Sequence, residues 1–195
     1  MVMGVEYTNR KGKKYYLNMG KTKTGKPKYY FSLKTKGQLA EEIPEGFEIY
    51  EHPANAQVFL RKKTPPIISE LEKKLVEKEL QKVAGPRLYI ADVKGEEIVI
   101  YESNENVENL KEIFGSISPF HDASRVENII KSETTYAPIM KFILDDEKKR
   151  TFVANRYCFR GSIDDWINVA GPMYLKEASE VFLQHLGKDS FFELG

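Results

Sequence analysis

The stretch from Arg10 to Lys36 constrains the fold most strongly, because its apolar and polar residues alternate as they do in a β-hairpin. Successive side chains of a strand point to opposite faces of the sheet. One face of two candidate strands is apolar and consists of Tyr15, Leu17, Met19, Tyr29, Phe31 and Leu33. The opposite face consists of Lys14, Tyr16, Asn18, Lys28, Tyr30, Ser32 and Lys34. Residues 20–27 contain Gly and Pro at positions typical of a turn, so the pattern predicts a hairpin with one core face and one exposed face.

The same stretch is strongly basic, because no Asp or Glu occurs between Glu6 and Glu41. Lysine neutralises phosphates, and tyrosine rings provide flat surfaces on which unstacked bases can lie. The predicted nucleic-acid site consists of Lys14, Tyr16, Lys28, Tyr30, Lys34, Lys21 and Lys23. Lysine on an exposed strand also serves simply to prevent edge-to-edge pairing. In addition, the acidic segment from Glu41 to Glu51 could fold back and cover the basic face.

Charge is divided unevenly along the chain, whose net charge is +1. Residues 1–63 contain 13 Lys or Arg and 6 Asp or Glu, a net charge of +7, and residues 64–195 contain the other 17 and 23, a net charge of −6. This asymmetry predicts two domains with different surfaces. We expect a basic β-sheet domain over 1–63 and an α+β domain over 64–195 that begins with a linker helix.

The first domain is expected to contain short strands and no helix. Outside the hairpin, alternation predicts strands at Val5–Thr8, Phe47–Tyr50 and Val58–Arg61. The switch to helical spacing follows Thr64, which we expect to be the N-cap of a helix over 65–83. The apolar residues at helical spacing are Ile68, Leu71, Leu75, Leu80 and Val83.

The second domain is predicted to be α+β, with a mostly antiparallel sheet. Its expected strands are Leu88–Val93, Glu97–Glu102, Ile139–Leu144 and Thr151–Phe159. Its expected helices cover 106–114, 124–132 and 172–186.

The carboxylates near the end of the chain give an alternative, enzymatic interpretation. Ser162 with Asp165 three residues later matches a capping box, which predicts a helical turn through Asp164 and Asp165. The alternative is an enzyme with a site near Asp164, Asp165 and His185. No phosphate-loop or dinucleotide pattern occurs. We therefore predict no cofactor and no metal, and assign no catalytic residue.

Cellular location is predicted from the single cysteine, Cys158, which rules out an intrachain disulfide and favours a reducing compartment. The first 14 residues contain no apolar run typical of a signal peptide. No stretch approaches the ~18 consecutive apolar residues of a membrane span. A cytoplasmic protein without a membrane partner is expected. Its predicted partner is DNA or RNA, or else an acidic protein bound by a protein-interaction or structural module.

Three strings are distinctive: RKGKKYYLNMGKTKTGKPKYYFS near the start, and RYCFRGSIDDWI and FLQHLGKDSFFELG near the end. In these strings the chain resembles a family of uncharacterised prokaryotic proteins, and the likeness covers nearly its whole length. The resemblance implies no activity and therefore no catalytic residue.

Overall fold

The computed structural model describes residues 4–35, 38–83, 88–104, 132–160 and 163–195. These residues divide into two compact units. The first contains the described residues up to Pro65 together with 132–135, and the second contains the rest. The helices predicted over 106–114 and 124–132 lie outside the described residues, apart from Ser132, and so does the predicted cap Ser162.

The first unit is built on the predicted hairpin, which is confirmed. Strands β2 and β3 pair antiparallel, with Leu17 opposite Phe31 and Asn18 opposite Tyr30. The other edge of β2 pairs with two short strands, β1 and β4. The bounds of these strands are Glu6–Thr8 for β1, Lys14–Lys21 for β2, Pro27–Ser32 for β3 and Gln38–Leu39 for β4. Leu17, at the centre of the apolar face, is fully buried.

A second antiparallel hairpin in this unit consists of β5 (Phe47–Glu51) and β6 (Val58–Lys62). The turn between β1 and β2 is hydrogen-bonded to the loop that joins β5 to β6. Buried Asn9 donates its side-chain amide to the carbonyl of Ala56 at 2.7 Å and accepts the N–H of Lys13 at 2.8 Å. Because both ends of the Asn9 amide are bonded, this turn is fixed against the second hairpin.

The second unit contains a five-stranded sheet in which every pair of neighbours is antiparallel. The strand order is β11-β10-β9-β8-β7. The bounds are Tyr89–Lys94 for β7, Glu97–Ser103 for β8, Tyr136–Asp146 for β9, Thr151–Arg160 for β10 and Ile163–Tyr174 for β11. Alternate residues of the central strands join the core, so one face of the sheet is covered. Those residues are Ile98, Ile100, Met140, Phe142, Leu144, Phe152 and Ala154.

Two α-helices complete this core. Helix α1 (Glu70–Val83) contributes buried Val76 and Leu80. Helix α2 (Leu175–Leu183) contributes Leu175, Ala178, Phe182 and Leu183. A short 3₁₀ turn, Asp189–Phe191, follows α2 and buries Phe191 in the same cluster. Neither helix is long and apolar enough to cross a membrane, and the same is true of every helix in the described part of the chain.

The predicted α+β fold class is wrong. The described residues contain eleven strands in three antiparallel sheets and only two α-helices, so the protein is mostly antiparallel β. Strand β11 accounts for much of the difference, because it occupies the predicted helical turn at Asp164 and Asp165 and continues to Tyr174. The last helix consequently begins at Leu175 and not at Pro172.

The predicted start of α1 is also wrong, although the body of the helix is confirmed. The helix begins at Glu70, and Thr64 lies outside it. Ser69 is the cap: its hydroxyl accepts the N–H of Glu72 at 3.3 Å, while the Glu72 carboxylate accepts the N–H of Ser69 at 2.8 Å. This reciprocal capping box fixes the first turn. Leu71, expected on the apolar face, is 78% exposed, because at 3.6 residues per turn it lies about 140° around the helix from buried Val76 and about 180° from buried Leu80.

Strand β11 forms where a capping box was predicted because it pairs continuously with β10 from Ile163 to Asn168, and again, after register shifts, at Ala170, Met173 and Tyr174. The ring of Trp166 packs edge-on against that of Tyr157, with centroids 5.2 Å apart. Cross-strand aromatic pairs stabilise a sheet, and tertiary contacts of this kind override local helix signals. Along this edge strand, Asp165 accepts the N–H of Trp166 at 2.7 Å, and Asn168 donates to the carbonyl of Ala170 at 3.1 Å.

Glu72 also joins α1 to the turn between β9 and β10. The guanidinium of Arg150, a residue held in the left-handed region at φ 54°, donates to both carboxylate oxygens of Glu72 at 2.6 and 2.7 Å. Burial alone would raise the pKa of Glu72, but the hydrogen bonds from Arg150 and Ser69 outweigh it and hold the pKa below its ordinary value. The ionised carboxylate therefore stabilises the folded state.

Replacing Glu72 with Gln is expected to lower the free energy of unfolding by about 1–2 kcal/mol at neutral pH, because Gln keeps the cap but loses the ion pair. The contribution of Glu72 is complete above its ordinary pKa of 4.5 and is lost as the pH falls through the lower folded pKa. The difference in Tm between wild type and variant should therefore shrink between about pH 5 and about pH 3. The control is Glu70→Gln in the same helical turn, which should show a smaller difference at every pH. A constant Tm difference for Glu72→Gln down to the lowest pH would contradict the ion-pair explanation.

Candidate nucleic-acid interface

The tip of the first hairpin is the most exposed part of the basic stretch. Every residue from Lys21 to Lys28 is exposed. The turn is nevertheless well defined: the N–H of Thr22 donates to the carbonyl of Lys26 at 2.8 Å, and the N–H of Lys26 donates to the hydroxyl of Thr22 at 3.0 Å. Gly25 has a φ of +81°, which favours glycine at this position. The tip is thus an ordered turn that presents its lysines to solvent.

The predicted lysines differ in their surroundings. Lys14 forms an ion pair with Glu6 at 2.9 Å, and that hydrogen bond raises the pKa of Lys14. Lys21, Lys23 and Lys28 are exposed, and so is Lys34, which follows the end of β3. None of these last four forms an ion pair with a carboxylate of the described residues. A cluster of ammonium groups without carboxylates attracts polyanions.

The two predicted tyrosines, Tyr16 and Tyr30, are half-buried. The ring of Tyr30 lies beside Gly20 of the neighbouring strand, with its Cε1 atom 3.9 Å from the position a Gly20 Cβ would take. The ammonium of Lys28 lies 5.9 Å from the centre of the same ring. Tyr16 lies between Glu6 and Ser32 of the strands on either side. Both rings therefore remain partly accessible, with less free surface than a fully exposed aromatic side chain.

The centre of the predicted basic face is covered by the chain that follows β3. The sequence pattern did not indicate this cover. Strands β3 and β4 lie on opposite edges of β2, so the chain crosses β2 between them. Asn18 of β2 is fully buried, and its side-chain amide donates to the carbonyl of Lys34 at 3.3 Å and to that of Tyr16 at 2.9 Å. Asn18, which lies opposite Tyr30 and two residues from Tyr16, therefore contributes no exposed surface to the predicted site.

Two glutamates of the acidic segment from Glu41 to Glu51 form ion pairs with arginines, one of which is Arg10 at the start of the basic stretch. The Glu51 carboxylate accepts from the guanidinium of Arg10 at 2.8 Å and from the hydroxyl of Tyr7 at 3.1 Å. Burial and the charge of Glu51 raise the pKa of Tyr7. Glu48 pairs with Arg61 at 2.6 Å. In the part of the chain that the structure describes, no carboxylate of this segment forms an ion pair with a lysine of the predicted site.

The alternative enzymatic residues are not gathered into a recognisable site. Asp164 and Asp165 are neighbours on β11, so their side chains point to opposite faces of the sheet. Asp164 accepts a short hydrogen bond from the hydroxyl of Tyr157, which raises the pKa of that tyrosine. His185 instead bonds the hydroxyl of Ser190 through Nδ1 at 2.8 Å. Within the described ranges, no three or more His, Cys, Asp or Glu side chains are grouped so that they could hold a metal ion.

Comparison of the chain with protein-family models, with curated proteins and with solved structures finds no match. The resemblance to a family of uncharacterised prokaryotic proteins therefore stays a prediction. The geometry of the basic hairpin is what bears on function.

Replacing Asn18 with Ala tests the crossing over β2. We expect the free energy of unfolding to fall by about 1–3 kcal/mol, because the fully buried Asn18 side chain is removed together with its hydrogen bonds to the carbonyls of Lys34 and Tyr16. Urea unfolding followed by circular dichroism measures the change. Gln57→Ala, at an exposed position in the same unit whose side chain has no hydrogen bond to the described residues, is the control and should change stability by less than about 0.5 kcal/mol. Equal effects of the two substitutions would show that Asn18 does not fix the crossing.

Proposed function

We propose that the protein binds nucleic acid through the basic hairpin of residues 10–36. The observation that carries the proposal is the tip, where Lys21, Lys23, Lys26 and Lys28 are exposed on an ordered turn and pair with no carboxylate among the described residues. A phosphate backbone that binds such a cluster releases the counterions condensed around it. This release is the main source of affinity for nucleic acid.

The other predicted residues contribute in two ways. Lys34 adds an exposed cation past the end of β3 that lies away from the tip, and Lys14 contributes only after its ion pair with Glu6 is weakened. Tyr16 and Tyr30, both half-buried, are a second set of contacts for exposed bases. Stacking therefore adds to an electrostatic interaction that the lysines provide.

An acidic protein is the other partner that the sequence predicted, and it would use the same lysines. Nucleic acid is favoured because the ammonium of Lys28 lies 5.9 Å from the centre of the Tyr30 ring, and an aromatic ring beside a cation suits a base and a phosphate together. The cytoplasmic location stays a prediction, and it would place the protein in a compartment that contains nucleic acid.

The test is fluorescence anisotropy with labelled DNA and RNA at several salt concentrations. Lys14, Lys28 and Lys34 changed together to Gln should reduce the slope of log K against log salt by about 0.7–0.9 for each phosphate that is no longer neutralised. Tyr16→Leu and Tyr30→Leu should leave that slope nearly unchanged. They should weaken binding to single strands by about 1–3 kcal/mol for each base that stacks on them.

Tyr15 and Tyr29 are the matched controls, because they lie on the apolar face of the same strands. Their replacement by Leu should lower stability without a specific effect on binding. Absence of any retention on DNA or RNA at low salt would refute nucleic-acid binding. In that case, retention on an acidic polypeptide such as polyglutamate would support the protein partner instead.

A further inference from the structure

We infer that the nucleic acid is duplex DNA in the B form, and that the tip of the hairpin, residues 20–28, enters its major groove. This inference rests on the proposed function and names the ligand class and the contacting element. It follows from the shape, order and charge of the tip and from the closure of the face beneath it.

The tip is a two-stranded ribbon that extends beyond the rest of its sheet. Strand β4 pairs with β2 only at Asn18 and Met19, and β1 pairs with β2 only up to Tyr16. Beyond Met19, β2 continues with β3 as its one partner among the described strands, through the pairs of Gly20 with Lys28 and Lys21 with Pro27. The residues of the turn then follow.

The dimensions of this ribbon suit the major groove. Paired strands lie about 4.8 Å apart, and a strand rises about 3.3 Å per residue. Beyond Met19 the paired part of the ribbon, Gly20 and Lys21 with their partners, is therefore about 7 Å long, and the turn of residues 22–26 extends past it. The major groove of B-form DNA is about 12 Å wide and about 8.5 Å deep and admits a two-stranded ribbon. The major groove of A-form RNA is too narrow for protein side chains to read.

The lysines lie on both strands of the ribbon and in the turn, so that they can contact the phosphates along the two edges of the groove. Lys21 ends β2, Lys28 lies in β3, and Lys23 and Lys26 belong to the turn. The hydroxyl of Thr22 fixes this turn by accepting the N–H of Lys26 at 3.0 Å and by bonding the hydroxyl of Thr24 at 3.0 Å. A preorganised loop loses less conformational entropy on binding than a flexible one.

The face below the tip is poorly suited to a single strand. Recognition of single strands relies on successive bases stacked on aromatic rings along a groove. Here Asn18, opposite Tyr30 and two residues from Tyr16, is fully buried and donates to the carbonyl of Lys34. The two half-buried tyrosines therefore have no exposed side chain of Asn18 between them to continue a stacking groove. Duplex DNA, which needs no unstacked bases, avoids this obstacle.

The experiment measures binding of the full chain to a DNA duplex, to the matching single strand and to an RNA duplex of the same length. We expect the tightest binding to duplex DNA. Changing Lys21, Lys23 and Lys26 together to Gln should reduce the salt slope for duplex DNA by up to about 2.7. Thr22→Val keeps every charge but removes the acceptor of the Lys26 N–H. It should weaken binding about 3- to 10-fold at an unchanged slope.

The matched control changes Lys74, Lys78 and Lys94 together to Gln. These three lysines are exposed in the second unit, so the control alters net charge equally. It should leave the salt slope nearly unchanged. Circular dichroism and Tm establish that each variant is folded.

Dimethyl sulfate probing locates the groove, because it methylates guanine at N7 in the major groove and adenine at N3 in the minor groove. Protection of guanine N7 is expected, and protection confined to adenine N3 overturns the inference. Equal or tighter binding to the single strand or to RNA, or tip variants that behave like the control, also overturns it while leaving nucleic-acid binding intact. No binding to any of the three ligands overturns both proposals.

Discussion

Hydrogen bonding along both edges of β2 is the constraint on which the first unit depends. Strand β3 pairs with one edge, while β1 and β4 share the other. At the junction between β1 and β4, Leu17 accepts the N–H of Ala40 at 2.9 Å and donates to the carbonyl of Val5 at 3.0 Å. Leu17 is also fully buried. Leu17 thus hydrogen-bonds β2 to two other segments of the chain and is buried at the centre of the apolar face. The basic tip is the continuation of this fixed strand.

The fixed base of the hairpin explains how a sequence so rich in lysine can form an ordered surface. Lysines close to one another repel, and the tip itself has no large apolar side chain to bury. The apolar face of β2 and β3, together with the hydrogen bonds of Thr22, supplies the stability that the charged residues do not. The residues that stabilise the hairpin therefore lie at its base, and the exposed lysines proposed to bind nucleic acid lie at its tip.

The sequence predicted correctly those elements whose apolar residues follow a regular spacing and are all buried on one face. The hairpin was predictable because a shift of one residue would move its apolar side chains to the solvent face. The body of α1 was predictable for the same reason, since Leu75, Leu80 and Val83 follow helical spacing and pack in or against the core. Its start was missed because Thr64 and Ser69 are both acceptable caps, and only Ser69 has a glutamate three residues later that completes a capping box.

The features that sequence reasoning missed depend on contacts between distant residues. Ser162 and Asp165 match a local capping signal, but pairing with β10 and the contact of Trp166 with Tyr157 produce a strand in that region. Likewise, nothing near Asn18 in the sequence indicates that the carbonyl of Lys34 will lie over it. The basic residues of the candidate site could be identified from the sequence. The burial of Asn18 beneath the carbonyl of Lys34 could not be identified from the sequence.

The pairing of β2 with its neighbours also bears on the order in which the first unit assembles. The hairpin closes a short local turn, which is a fast event, on the order of microseconds. Strand β4 pairs with the other edge of β2 across a longer stretch of chain, so we expect it to add after β2 and β3 have paired. The contact between Val5 and Ala40 joins residues far apart in the chain and carries a larger loop-closure cost. During synthesis the basic tip would therefore be complete before the segment that closes its base has docked.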